Sequence, residues 1–138
     1  MSDSTPDSSF KNTTTRFLNV DLDIEGEDLN ELVTTLESRA IVLHHTNTTA
    51  SFELLAQPPD PDTAIRNLFA VIDALPPETR ALWEKCTLRR FSIGISAGHQ
   101  PNSRTWVLAL DTLKLVTQLR AEIDVTIYAP APAFDALP

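Results

Sequence analysis

Asp21, Asp23 and Glu25 stand at two-residue intervals in the run Asn19-Val20-Asp21-Leu22-Asp23-Ile24-Glu25. On a strand, that spacing sends three carboxylates out of one face about 7 Å apart, where they can attract a hard cation, do acid/base work or meet a basic partner. Alternating acids are also what a solvated strand face looks like. His44 and His45 are adjacent, and neighbours on a strand point to opposite faces, so the pair cannot easily close on one metal ion. Only His99 and the single Cys86 remain, so neither a structural zinc site nor an internal disulfide is expected. Cys86 ends a helical pattern containing Leu82 and Trp83 and reads as a reduced, packed thiol rather than a primed nucleophile. No Gly-x-Ser-x-Gly elbow occurs. With three glycines in the chain, Gly94-Ile95-Ser96-Ala97-Gly98 is the nearest thing to a phosphate-cradling loop, and it lacks the Lys-Ser/Thr that must follow. No metal and no cofactor are expected.

The net charge of −8 argues against nucleic acid, whose phosphates need clustered Lys and Arg. Its distribution is uneven. Asp21, Asp23, Glu25, Glu27, Asp28, Glu31 and Glu37 follow one another with no basic residue between them, whereas Glu78 to Arg120 holds seven basic residues against three acidic. Such asymmetry favours an oriented encounter with a charged partner. The 138 residues, 42% hydrophobic and 22% charged, suit one globular domain with one core. No apolar run approaches the roughly 20 residues of a membrane span, and the polar start lacks the basic and apolar regions of an export signal. The expectation is a cytoplasmic protein that does not engage membranes.

Residues 1–15, rich in Ser, Thr, Asp and Asn, show no apolar periodicity and are expected to be disordered. From Arg16, Leu18, Val20, Leu22 and Ile24 alternate with polar residues, which predicts a strand with one wet face. Gly26 breaks it, and Leu29, Leu32, Val33 and Leu36 trace an amphipathic helix. Ala40–His44 and Ser51–Leu55 predict a hairpin. Asp60-Pro61 looks like an N-cap and a proline at the first helical position, opening a helix with Ile65, Leu68, Phe69, Ile72 and Leu75 inward, and Pro77 opens another through Cys86. Phe91, Ile93 and Ile95 predict a strand, and Thr105–Leu110 another, forming a second hairpin across the loop Gly98–Arg104. Asp111 suits the N-cap of a helix carrying Leu115, Val116 and Leu119, and Ile123, Val125 and Ile127 close the domain as a strand. Residues 130–138 form a Pro/Ala-rich tail.

The expected order is β-α-β-β-α-α-β-β-α-β: a single α+β domain over residues 16–129, built as a two-layer sandwich with a largely antiparallel six-stranded sheet and helices on one face. The matching β-α-β units at its two ends raise the idea of an internal duplication.

The strings Phe17-Leu18-Asn19-Val20-Asp21-Leu22 and Phe91-Ser92-Ile93-Gly94-Ile95, with the run from Leu113 that closes on Val125-Thr126-Ile127-Tyr128, resemble the bacterial family called domain of unknown function 4279, across roughly Arg16 to Ala129. The resemblance implies a bacterial cytosolic α+β domain similar to the immunity proteins that neutralise toxins, and it supplies no catalytic residue.

Strand parity places Asp21, Asp23, Arg90, Ser92, Ser96, Asp124, Thr126 and Tyr128 on the face away from the core. The expected partner surface comprises Asp21, Asp23, Glu25, Glu31, Arg90, Ser92 and Tyr128, and the expected function is non-enzymatic protein binding, most specifically by an immunity protein. A module binding a small polar ligand on the open sheet face is the alternative. An enzyme using Asp21, Asp23 and Tyr128 ranks last, since no nucleophile, cofactor motif or metal cluster accompanies them. A homodimer through exposed strand edges stays open.

Overall fold

A computed structural model describes residues 14–130 of the chain. Its elements run β1 (Arg16–Glu25), α1 (Asn30–Leu36), β2 (Ala40–His45), β3 (Thr49–Leu54), α2 (Pro61–Asp73), α3 (Pro77–Glu84), β4 (Leu88–Ser96), α4 (Leu110–Gln118) and β5 (Glu122–Tyr128). The strands form one sheet in the order β2-β3-β1-β4-β5. All pairings are antiparallel except β4 with β5, which is parallel.

Alternation builds the core. Val20, Leu22 and Ile24 of β1, Phe52 of β3 and Phe91 of β4 are buried in one cluster with Leu32 and Leu36 of α1, Ile65, Leu68 and Ile72 of α2, Trp83 of α3, and Val116 and Leu119 at the end of α4. The helices thus cover one face of the sheet and leave the other open. The Asp60 cap is real: its carboxylate accepts the Thr63 backbone N–H at 2.8 Å, with Pro61 opening the helix behind it. Pro77 likewise opens α3.

The sequence-based expectation differs from the structure in several places. The sheet has five strands, not six, because Thr105–Leu110 is not a strand among the described residues. That segment is a crossover carrying the chain from β4 to α4, so the expected second hairpin is replaced by a β-α-β unit whose strands are parallel neighbours. The Ala109 N–H, lacking a strand partner, donates to Asp62 Oδ1 at 2.9 Å. Helix α4 starts at Leu110 with Ala109 at its N-cap, so Asp111 lies in its first turn rather than capping it. In β1 a bulge at Leu18 interrupts the alternation: Phe17 faces Ile95, Asn19 faces Gly94, and Leu18 is left partly exposed while Phe17 packs on the core. The two β-α-β ends are also unlike: β1 and β2 have β3 inserted between them, whereas β4 and β5 are adjacent.

Of the expected N-terminal segment, all but Thr14 and Thr15 lies outside the described residues, as does the tail beyond Pro130. Thr15 is tied to the 98–104 loop: its N–H donates to the Gln100 carbonyl at 2.8 Å, and its hydroxyl accepts the Gly98 N–H at 2.9 Å.

Arg89, whose backbone pairs with core-facing Ile24, reaches to the helix side of the sheet. Its Nη1 donates to the carbonyls of Cys86 (2.7 Å) and Trp83 (3.1 Å), and its Nε to that of Arg120 (3.0 Å). One guanidinium therefore binds carbonyls at the C-terminal ends of both α3 and α4, where positive charge also suits the helix dipole.

Candidate functional site

The uncovered face is assembled by register. Asp23 lies between Ser51 of β3 and Arg90 of β4, Asp21 lies beside Ser92, and Asn19 lies beside Gly94. On the far side, Glu122, Asp124, Thr126 and Tyr128 of β5 face Arg90, Ser92, Gly94 and Ser96. Six acids, Asp21, Asp23, Glu25, Glu53, Glu122 and Asp124, thus share one surface with Arg90 and, at its end, Arg16.

The centre of this surface is ordered by hydrogen bonds. Asp23 accepts the Ser51 hydroxyl on Oδ1 and the Ser92 hydroxyl on Oδ2, both at 2.8 Å, so one carboxylate ties three strands together. Arg90 Nε donates to Glu122 at 2.7 Å and lies 3.6 Å from Asp124. The Asn19 amide donates to Asp21 Oδ1 at 3.0 Å. Gly94 gives these groups room: a Cβ there would lie 2.8 Å from Asn19 Oδ1, so the Asn19 amide would have to shift, and 3.6 Å from the Tyr128 ring.

Asp21 is the uncompensated member. Burial, then the charges of Asp23 and Glu53, push its carboxyl from the ordinary 3.8 up to about 6. Among the described residues no ion pair reaches Asp21 or Glu53, and Arg90 is engaged by Glu122 and Asp124. Between pH 3.8 and about 6 the folded chain therefore holds a proton that the unfolded chain releases, so stability falls as pH rises through that window and stays lower above it. Asp21→Asn removes this penalty. Keeping the carboxylate charged in that setting would cost at most about 3 kcal/mol, and water reaching the half-exposed side chain reduces this to about 1 kcal/mol. The variant is expected to be more stable than the native chain at pH 7 and to lose that advantage below pH about 4, read by urea unfolding at both values.

Of the seven residues expected to form a partner surface, Asp21, Asp23, Glu25, Arg90, Ser92 and Tyr128 share this face. Glu31 does not: it is on α1, in the helical layer, and borders a hollow of about 500 Å³ together with Gly26, Asp28, Lys85 and Cys86. Ser51 and Glu53, absent from the expected set, belong to the face; the alternation of Ala50, Phe52 and Leu54 with Thr49, Ser51 and Glu53 was the signal for them. Trp83 is fully buried and donates its indole N–H to the Leu119 carbonyl, so it is a core residue. His44 bonds Thr49 Oγ1, while His45 bonds Asn30 on the helical side. Burial pushes the Cys86 thiol up, against a smaller lowering by Arg89, which disfavours the thiolate. Among the described residues no helix is long and apolar enough to cross a membrane.

Comparison of the chain with protein-family models, with curated proteins and with solved structures finds no match.

Proposed function

We propose that this chain is a non-enzymatic binding protein whose uncovered sheet face docks onto a basic surface of a protein partner. In its specific form, it is a cytosolic immunity protein that occludes a bacterial toxin. The observation that carries the proposal is the charge imbalance at the centre of the face, where Asp21 is driven toward protonation by burial and by Asp23 and Glu53, with no cation paired to it among the described residues. A lysine or arginine brought against that carboxylate relieves a cost that the isolated fold bears, so part of the binding free energy is already stored in the free protein. The ties from Asp23 to two serines hold the surface in shape before a partner arrives, which limits the ordering entropy lost on association. The toxin-neutralising form rests on the family resemblance of the strand sequences and on the acidic character of the chain.

The test is capture from the cells that encode the chain, with the tagged full-length protein as bait and elution by a salt gradient. The native chain is expected to retain a stoichiometric partner that is toxic when expressed alone and harmless when co-expressed with this chain. Asp21→Lys with Asp23→Lys should release that partner at much lower salt, while Glu31→Lys with Glu37→Lys, away from the face, should not. Absence of a stoichiometric partner, or equal loss with both double variants, contradicts docking by this face. A partner that is harmless on its own contradicts the toxin-neutralising form.

A further inference from the structure

We propose that the outer edge of β5 is a self-association site, on which a second copy of this chain adds its own β5 antiparallel across a two-fold axis to make a continuous ten-stranded sheet. Because the Tyr128 carbonyl accepts the Ala97 N–H from the end of β4, Tyr128, Thr126 and Asp124 turn their peptide groups toward β4. Ile123, Val125 and Ile127 then turn theirs outward. Among the described residues no strand pairs with that edge.

Val125 is 54% exposed and Ile127 65%, on the helical side of the sheet. Natural edges are blunted by bulges, prolines or lysines. The opposite edge, β2, has a register shift between Val42 and His44. β5 has no such protection: it pairs with β4 without a shift from Glu122 to Tyr128 and contains neither proline nor lysine. It is an unpaired edge without a bulge, and its helical side is apolar.

The choice of occupant follows from charge and parity. In a two-fold register centred on Val125, each outward-facing residue meets another: Val125 meets Val125, and Ile123 meets Ile127. Both members of each pair turn their peptide groups toward the axis, so they exchange both backbone hydrogen bonds. On the other face Asp124 falls opposite Thr126 and Glu122 opposite Tyr128. No two like charges are opposed, although the chain carries a net charge of −8. The two acids of β5 are, in addition, already held by Arg90 of the same chain, which lowers the repulsion between copies. The interface is isologous, as closed dimers require, and it leaves Asp21, Asp23 and Glu53 free on the open face.

The experiment combines sedimentation equilibrium of the full-length chain over a concentration series with amide hydrogen exchange. The expected mass at high concentration is twice 15.3 kDa. Val125→Glu sets like charges against each other at the axis and is expected to weaken the dimer by at least about tenfold, with an unchanged circular dichroism spectrum. The exchange pattern supplies a readout specific to strand pairing. Amides of Asp124, Thr126 and Tyr128 are protected by β4 in any state, whereas those of Ile123, Val125 and Ile127 are protected only when a strand lies alongside. Protection of the outward amides that rises with concentration and disappears in Val125→Glu supports the proposal. A chain that remains monomeric into the millimolar range, a dimer indifferent to Val125→Glu, or outward amides protected equally at all concentrations overturns it.

Discussion

Trp83→Ala is expected to lower the stability of the fold by about 4 kcal/mol, the upper part of the range for truncating a buried aromatic. Trp83 is the largest fully buried side chain and belongs to the same cluster as Leu119 and the inner residues of the sheet. Its removal leaves a cavity that short connections on both sides of α3 prevent from collapsing: Pro77 fixes the start of the helix and β4 begins a few residues after its end. The indole N–H donated to the Leu119 carbonyl at 3.3 Å is lost as well, and that carbonyl follows α4, where helical acceptors already lack partners. Against a total stability of roughly 5–15 kcal/mol for a natural domain, the loss is a large fraction of the whole, equivalent to about 15 °C in Tm for a chain of this length. Trp83→Phe separates the two contributions, because it keeps much of the volume and removes only the donor. It should cost considerably less. Thermal and urea unfolding of both variants measure this, and equal losses would assign the effect to the hydrogen bond rather than to the cavity.

Arg89→Ala is expected to cost about 2–3 kcal/mol, in line with the loss of a charged donor shared among partly buried acceptors. Three of those acceptors, the carbonyls of Trp83, Cys86 and Arg120, come from the ends of two different helices. Arg120 makes the contact more demanding: it closes α4 in the left-handed region at φ 57° without being glycine, a conformation that costs a side-chain-bearing residue about 1 kcal/mol or more. The Nε bond to its carbonyl helps hold it there. Arg89→Lys retains the charge but cannot span the same acceptors with a planar fork, so it should recover only part of the loss. A shift of the urea midpoint at constant slope in the order native, Lys, Ala is the expected outcome.

Both positions mark the boundary between what local sequence patterns encode and what only the folded chain brings together. The alternation from Val20 to Ile24 in β1, the Asp60-Pro61 helix start and the hairpin of β2 and β3 are local patterns that translate into local structure, whereas the bulge at Leu18 breaks the alternation where it begins. The run Thr105–Leu110 has the composition of a strand, but a strand needs a neighbour. The second edge of β4 is taken by β5, a pairing between distant segments that no local pattern encodes. Arg89 is likewise silent in sequence, because its acceptors come from helix ends that meet only in the folded chain. At the candidate site, parity placed six of the seven expected residues on the open face. Glu31 belongs to the same acidic run of sequence but not to the face. The turn after Gly26 carries the chain to the other side of the sheet, so neighbours in sequence become residents of opposite layers. The raised carboxyl of Asp21 depends on Glu53 from another strand and on burial, and neither is visible in the Asp21-Leu22-Asp23 string itself.

Docking through the uncovered acidic face can be read by carboxylate footprinting of the captured complex, with a carbodiimide label detected by mass spectrometry against the free chain. Asp21, Glu25 and Glu53 are expected to lose labelling in the complex, while Glu31, Glu37 and Glu78 label as in the free protein. Unchanged labelling of the first group with protection of the second would contradict it and move the partner to the helical side of the fold.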